Sequence, residues 1–256
     1  SYAESFIDNV DLIDSTINWI DSNPLGGAAG YGVGLPLNRK QVTRDLGFKR
    51  VQLNSLYVQN SRGKYEMQIL STLKQSMLDI RKFSWDMSLF LSQEFNLVNI
   101  DSMYLTGSSI MPNKNNPDVI EILRANYSIL AGQASELENL LSPPSGYHRD
   151  LQLAKGPIID AVQELKACMD ILLFSLPQLE VTQNITDQKK YDYLFSVDTL
   201  NTEVIAGKPF RDAYRELGQA IEKGDFLPNR TVNHNHLGSI GNLGLEKIRQ
   251  KMERIK

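Results

Sequence analysis

The sequence predicts an all-α fold, and three observations carry the prediction. Apolar residues recur every three or four positions over long stretches, breaks rich in Gly, Pro and Asn separate those stretches, and no segment alternates apolar and polar residues as a strand would. Long helices joined by such loops define an elongated bundle.

The elements follow in chain order. Phe6, Val10, Ile13, Ile17 and Ile20 share one helical face, so the chain is helical almost from its first residue. Asn23 to Pro36 reads NPLGGAAGYGVGLP, and glycine at 26, 27, 30, 32 and 34 forbids regular helix there. It lacks the lysine pattern of a phosphate-cradling loop, so close backbone packing is its expected role. Asn38 to Phe48 reads as a short helix. Tyr65 to Glu94 carries Ile69, Leu73, Met77, Ile80, Phe83, Met87 and Phe90 in step, with no Gly or Pro, and predicts one long helix. At 1.5 Å per residue it would measure roughly 45 Å. A second long helix should open at Pro117, a residue suited to a first turn, and run through Ile120, Leu123, Tyr127, Leu130, Leu137 and Leu141 to Pro143-Pro144. A third fits Pro157 to Leu176, with Ile158, Val162, Leu165, Met169, Leu172 and Leu176 on its stripe. From Asp187 the helical segments are shorter, divided by Gly207-Lys208-Pro209 and by Gly224 to Pro228. These breaks predict a long-helix bundle domain over 1–186 and a small C-terminal helical domain over 187–256.

Composition narrows the function. The 256 residues hold 27 Lys and Arg against 30 Asp and Glu, a net charge of −3. That balance supplies no general drive toward nucleic acid or anionic lipid, which need clustered positive charge. Any bound anion must be held by a local site. Apolar runs fall far short of the ~20 residues of a membrane span, and no secretory leader is visible, so a cytoplasmic address is expected. A single cysteine, Cys168, cannot form an internal disulfide, and no Cys/His spacing suits zinc, so no metal is expected. Cys168 reads as a small core residue, Trp19 and Trp85 as packing anchors, and His148, His234 and His236 as surface or capping side chains.

One segment departs from bundle logic. Thr106 to Asp118, TGSSIMPNKNNPD, lies between two predicted rods and is dense in hydrogen-bonding residues. The residues alone leave two readings open. It is an anion-binding lid beside a helix N-terminus, or a connector whose Asn and Ser side chains cap the next helix.

GSSIMPNKNNPD matches the signature GSSxMPxKxN of the fumarase/aspartase superfamily at every fixed position. Within that superfamily the whole chain resembles the middle and C-terminal portions of the argininosuccinate lyase family, through NPLGGAAGYGVGLPLNR, LGF followed by NSL, PDVIEILR, YHRDLQLAK and GKPFRDAYRELG. The resemblance implies elimination of fumarate from argininosuccinate, leaving arginine, with no metal or organic cofactor, in a homotetramer. It places the catalytic base at Ser108, substrate contacts at Lys114 and Asn116, and the acid that partners a catalytic histidine at Glu121. YHRDLQLAK resembles the segment that places further substrate contacts at Tyr147, Gln152 and Lys155. The chain departs from the family pattern at Asn115, Leu153 and Ala154. The family's Ser-Arg-Asn and Thr-His segments do not occur in it, so a truncated piece of a longer enzyme, inactive alone, is expected. The rival readings are another superfamily lyase, acting on adenylosuccinate or aspartate, and a crystallin-like relative without catalysis.

Overall fold

The computed structural model describes residues 1–255, and four long helices carry its core. They are α1 (Tyr2–Ile20), α4 (Lys64–Phe90), α5 (Asp118–Leu140) and α6 (Lys155–Ser175), with the short helices α2 (Arg39–Asp45) and α3 (Ser55–Asn60) between the first two. The strands among the described residues are two or three residues long. Residues 1–180 form one unit and residues 181–254 a second.

In the first unit α4 is the central rod, packed by α1, α5 and α6. Leu70, Met77, Ile80, Phe83 and Met87 of α4 meet Ile120, Leu123, Leu130, Ala134 and Leu137 of α5, and Ala161, Leu165, Cys168 and Leu172 of α6. Spacings of three, four and seven residues put each set on one stripe. Because α4 is covered on several sides, it also buries Thr72, Ser76 and Ser84. Thr72 and Ser84 donate their hydroxyls to the carbonyls of Gln68 and Ile80 one turn back, which satisfies both donors within α4. Polar ties join α1 to α4: Asp79 accepts from Ser5 at 2.6 Å and from Asn9 at 2.7 Å, and Thr16 meets Thr72 at 2.8 Å.

Several expected boundaries move. The long helix stops at Phe90, four residues short of Glu94, and Leu91 begins a turn. Pro117 is the N-cap of α5 and not its first helical residue. The stripe of α6 runs through Leu165, Cys168 and Leu172 as expected, with Ile158 and Met169 packed against the core, but Ala161 is buried in place of Val162, which is 47% exposed. Small side chains there let the helices approach, and the larger Ile159, Val162, Ile171 and Phe174 are left on the outer face. Trp19 and Trp85 are not buried anchors; they are 39% and 47% exposed. Trp19 meets the Tyr65 ring edge-on, and Arg124 stacks over Trp85.

In the glycine-rich loop, Gly26, Gly30 and Gly32 take positive φ, and Gly30 packs against Leu56 and Gln59 of α3. Ahead of the loop, β1 (Ser22–Asn23) pairs in parallel with β2 (Arg50–Val51), which follows α2. No helix among the described residues is long and apolar enough to cross a membrane.

The second unit holds α7 (Ser196–Ile205), α8 (Phe210–Lys223) and α9 (Leu245–Glu253). Lys208, in the turn between α7 and α8, bridges Glu203 at 2.9 Å and Glu216 at 2.5 Å. His234, expected as a surface side chain, pairs with Asp198 at 2.6 Å.

Candidate active site

The polar segment between α4 and α5 is a loop closed at its base. Thr106 and Asn116 form an antiparallel bridge, exchanging N–H···O bonds of 2.9 and 2.8 Å. Within it the Ser108 hydroxyl oxygen accepts the backbone N–H of Ile110 at 3.2 Å and of Met111 at 3.1 Å. Two N–H dipoles therefore point at the oxygen of a half-buried serine. They would stabilise negative charge on that oxygen far more than on a neutral hydroxyl. Lys114 is exposed on the same loop and Asn116 is half-buried at the bridge.

The capping alternative fails on geometry. No side chain caps α5; the serine turns back on its own loop, and Thr106 donates its hydroxyl to Asp118 of the first helical turn. Glu121, exposed, lies in that same turn. A cavity of about 490 Å³ adjoins the loop, lined by Asn99, Met111, Asn113, Lys114, Asn115 and Pro117 among others.

The second predicted set sits elsewhere. Tyr147 follows the turn that ends α5, Gln152 closes a 3-10 turn over Arg149–Gln152, and Lys155 starts α6. All three are exposed. α5 spans 23 residues, which at 1.5 Å per residue sets the two clusters about 33 Å apart. One copy of the chain brings Ser108, Lys114, Asn116 and Glu121 together at one end of a rod and Tyr147, Gln152 and Lys155 together at the other. It does not bring the two sets around one small molecule.

Sequence reasoning missed α3, whose Asn60 holds the turn before Tyr147: its Oδ1 accepts the N–H of Gly146 at 2.9 Å. The signal was present as Asn54-Ser55, an N-cap that accepts from Tyr57 at 2.9 Å. His148 was expected to be exposed or to cap a helix; its Nε2 is buried and its side chain makes no cap.

A bridged loop that folds back on its serine stands at the head of a long bundle helix, and comparison with known proteins places the chain in a family. The sequence profile of the family described as "Lyase" matches residues 1–132, and the chain belongs to that family. Its curated relatives are more particular: the chain resembles argininosuccinate lyases. It is 41% identical to that of Parabacteroides distasonis over all of this chain and 57% of the relative, and 47% identical to that of Xanthomonas euvesicatoria over 86% of this chain and 51% of the relative. The chain thus spans about half the length of the curated relatives it matches. The class II fumarase of Schistosoma mansoni shares the fold, with a TM-score of 0.70 at 18% identity over 87% of this chain and 51% of that one.

Proposed function

We propose that this chain supplies part of the active site of a carbon–nitrogen lyase that splits argininosuccinate into arginine and fumarate. The observation that carries the reading is the pair of N–H groups aimed at Ser108 Oγ inside the signature loop. In the reaction a base removes a proton from the carbon beside a carboxylate, and the electron pair left behind forms the new C=C bond. The C–N bond breaks, and its pair departs with the guanidinium nitrogen, which takes up a proton. The transient carbanion puts extra charge on a carboxylate, so the site needs preorganised donors and cations. Ser108 is the base. An ordinary serine is far too weak for this, and the Ile110 and Met111 amides supply the stabilisation its alkoxide needs. Lys114 and Asn116 hold the carboxylate from the same loop. Glu121 orients the histidine that completes proton transfer, a residue the three histidines of this chain do not match.

Tyr147, Gln152 and Lys155 complete the substrate contacts from another copy, because α5 keeps them from the Ser108 loop of their own chain. A homotetramer satisfies that requirement. The exposed Ile122, Ile129, Ile159, Val162, Ile171 and Phe174 of α5 and α6 support burial against further copies. The reading also implies a cytosolic address, among soluble biosynthetic enzymes. Tyr147, Gln152 and Lys155 favour argininosuccinate over adenylosuccinate or aspartate as substrate.

The test is fumarate release by the complete product of the gene, offered argininosuccinate and adenylosuccinate in turn. Turnover of the first alone is expected, and Ser108→Ala should lower kcat about 10³-fold. Turnover of adenylosuccinate alone, or an unimpaired Ser108→Ala variant, would overturn the reading. The isolated 256-residue chain is expected to be inactive, since it contains neither a Ser-Arg-Asn nor a Thr-His segment.

A further inference from the structure

The corner between α3 and α4, Asn60 to Lys64, grips the turn that carries Tyr147. Asn60 uses both ends of its amide: Oδ1 accepts the Gly146 N–H at 2.9 Å, and Nδ2 donates to Ser145 Oγ at 3.3 Å. That fixes the main chain one residue before Tyr147. Arg62 restrains the side chain, with its guanidinium carbon 5.3 Å from the centre of the Tyr147 ring. Gly146 has φ +122°, a conformation suited to glycine, so the turn enters Tyr147 along a path that other residues strain to follow.

Tyr147 is 51% exposed, so packing does not orient its ring. A cation stacked on a half-exposed ring adds little to folding stability, yet it selects one direction for the phenol hydroxyl. The main-chain and side-chain restraints come from neighbouring residues, Asn60 and Arg62, over eighty positions away in sequence. Neither residue belongs to the clusters of substrate contacts described above.

We propose that Asn60 and Arg62 are positioning residues for Tyr147: one fixes the turn, the other the ring, and together they set the phenol against the substrate. The proposal rests on the argininosuccinate reading for its substrate, while the clasp itself can be tested without turnover.

The first arm measures amide hydrogen exchange on the 256-residue chain. Asn60→Ala should speed exchange of the Gly146 N–H about tenfold or more, while amides in the middle of α4, α5 and α6 stay as in the parent. Unchanged exchange at Gly146 would overturn the proposal. The second arm measures argininosuccinate cleavage by the complete gene product. Arg62→Ala should raise KM by about threefold to tenfold with kcat nearly unchanged. Arg62→Lys should recover only part of the loss, because it keeps the charge and loses the planar guanidinium. In a Tyr147→Ala background Arg62→Ala should have no further effect. A full Arg62 effect in that background, or a Tyr147→Ala variant with parental KM, would overturn the proposal. An enzyme inert toward argininosuccinate would refute the reading of the reaction, and Gly146 exchange would still decide whether the clasp exists.

Discussion

Gly63→Ala tests the same corner through stability. Gly63 caps α4 at φ +84° and ψ −33°, and its N–H donates to the Glu66 carboxylate at 2.6 Å. A β-carbon there would lie 1.9 Å from Leu141 Cδ2, at the C-terminal end of α5. Two costs add. An L-residue in a positive-φ conformation costs about 1–2 kcal/mol. Leu141 can swing its methyl away, but leaving its preferred rotamer costs about 0.5–1.5 kcal/mol. The sum is about 1.5–3.5 kcal/mol, which at roughly 2–4 °C per kcal/mol for a chain of this size lowers Tm by about 3–14 °C. Thermal melting followed by far-ultraviolet circular dichroism reads this directly. Gly218→Ala is the control of opposite sign: it lies within α8, its β-carbon meets nothing within 4 Å, and helix propensity should gain about 0.5–1 kcal/mol. Repeating Gly63→Ala in a Leu141→Ala background should leave only the backbone share, about 1–2 kcal/mol. A Gly63→Ala melting point equal to the parent's would refute the reasoning.

Two further outcomes follow from buried groups. Asp79→Ala strips the acceptor shared by Ser5 and the buried Asn9, and should cost about 1–3 kcal/mol of unfolding free energy, read as a lowered urea midpoint. Asp79→Asn keeps an acceptor oxygen and should lose less; equal stability of the alanine variant and the parent would show that the tie is idle. Burial pushes the Cys168 thiol above its usual range, against a lowering hydrogen bond from Asn126 and with a further push from Glu164. The folded state therefore holds the neutral thiol. Its contribution is complete below the ordinary thiol pKa of roughly 8.5 and is lost as pH climbs from there toward the folded value. Cys168→Ala should flatten that alkaline decline, and the native thiol should react with Ellman's reagent only as fast as the chain unfolds. Immediate labelling would contradict its burial.

The all-α class and the three rods were legible because their stripes are long and strictly periodic. Where the sequence misled, a neighbour decided the outcome. The α6 stripe was drawn through Val162, since hydrophobicity alone ranks valine above alanine, yet close approach to the core favoured Ala161. Trp19 and Trp85 looked like anchors by size, but their partners are Tyr65 and Arg124 near the surface. Helix α3 is six residues long, too short for periodicity to mark, and its only signal was a capping asparagine. The signature loop was legible as a motif. Its inner geometry was not, because whether a serine caps the next helix or folds back on its own amides depends on the Thr106–Asn116 bridge, a pairing across ten residues.

That bridge has an evolutionary consequence. By stapling the mouth of the loop, it confines the effect of substitutions at positions 107–115 to the loop itself, so they need not disturb the register of the rods. Chemistry and scaffold can then diversify independently. A substitution at a position such as Asn115 can alter the loop while the packing of α5 against α4 stays intact.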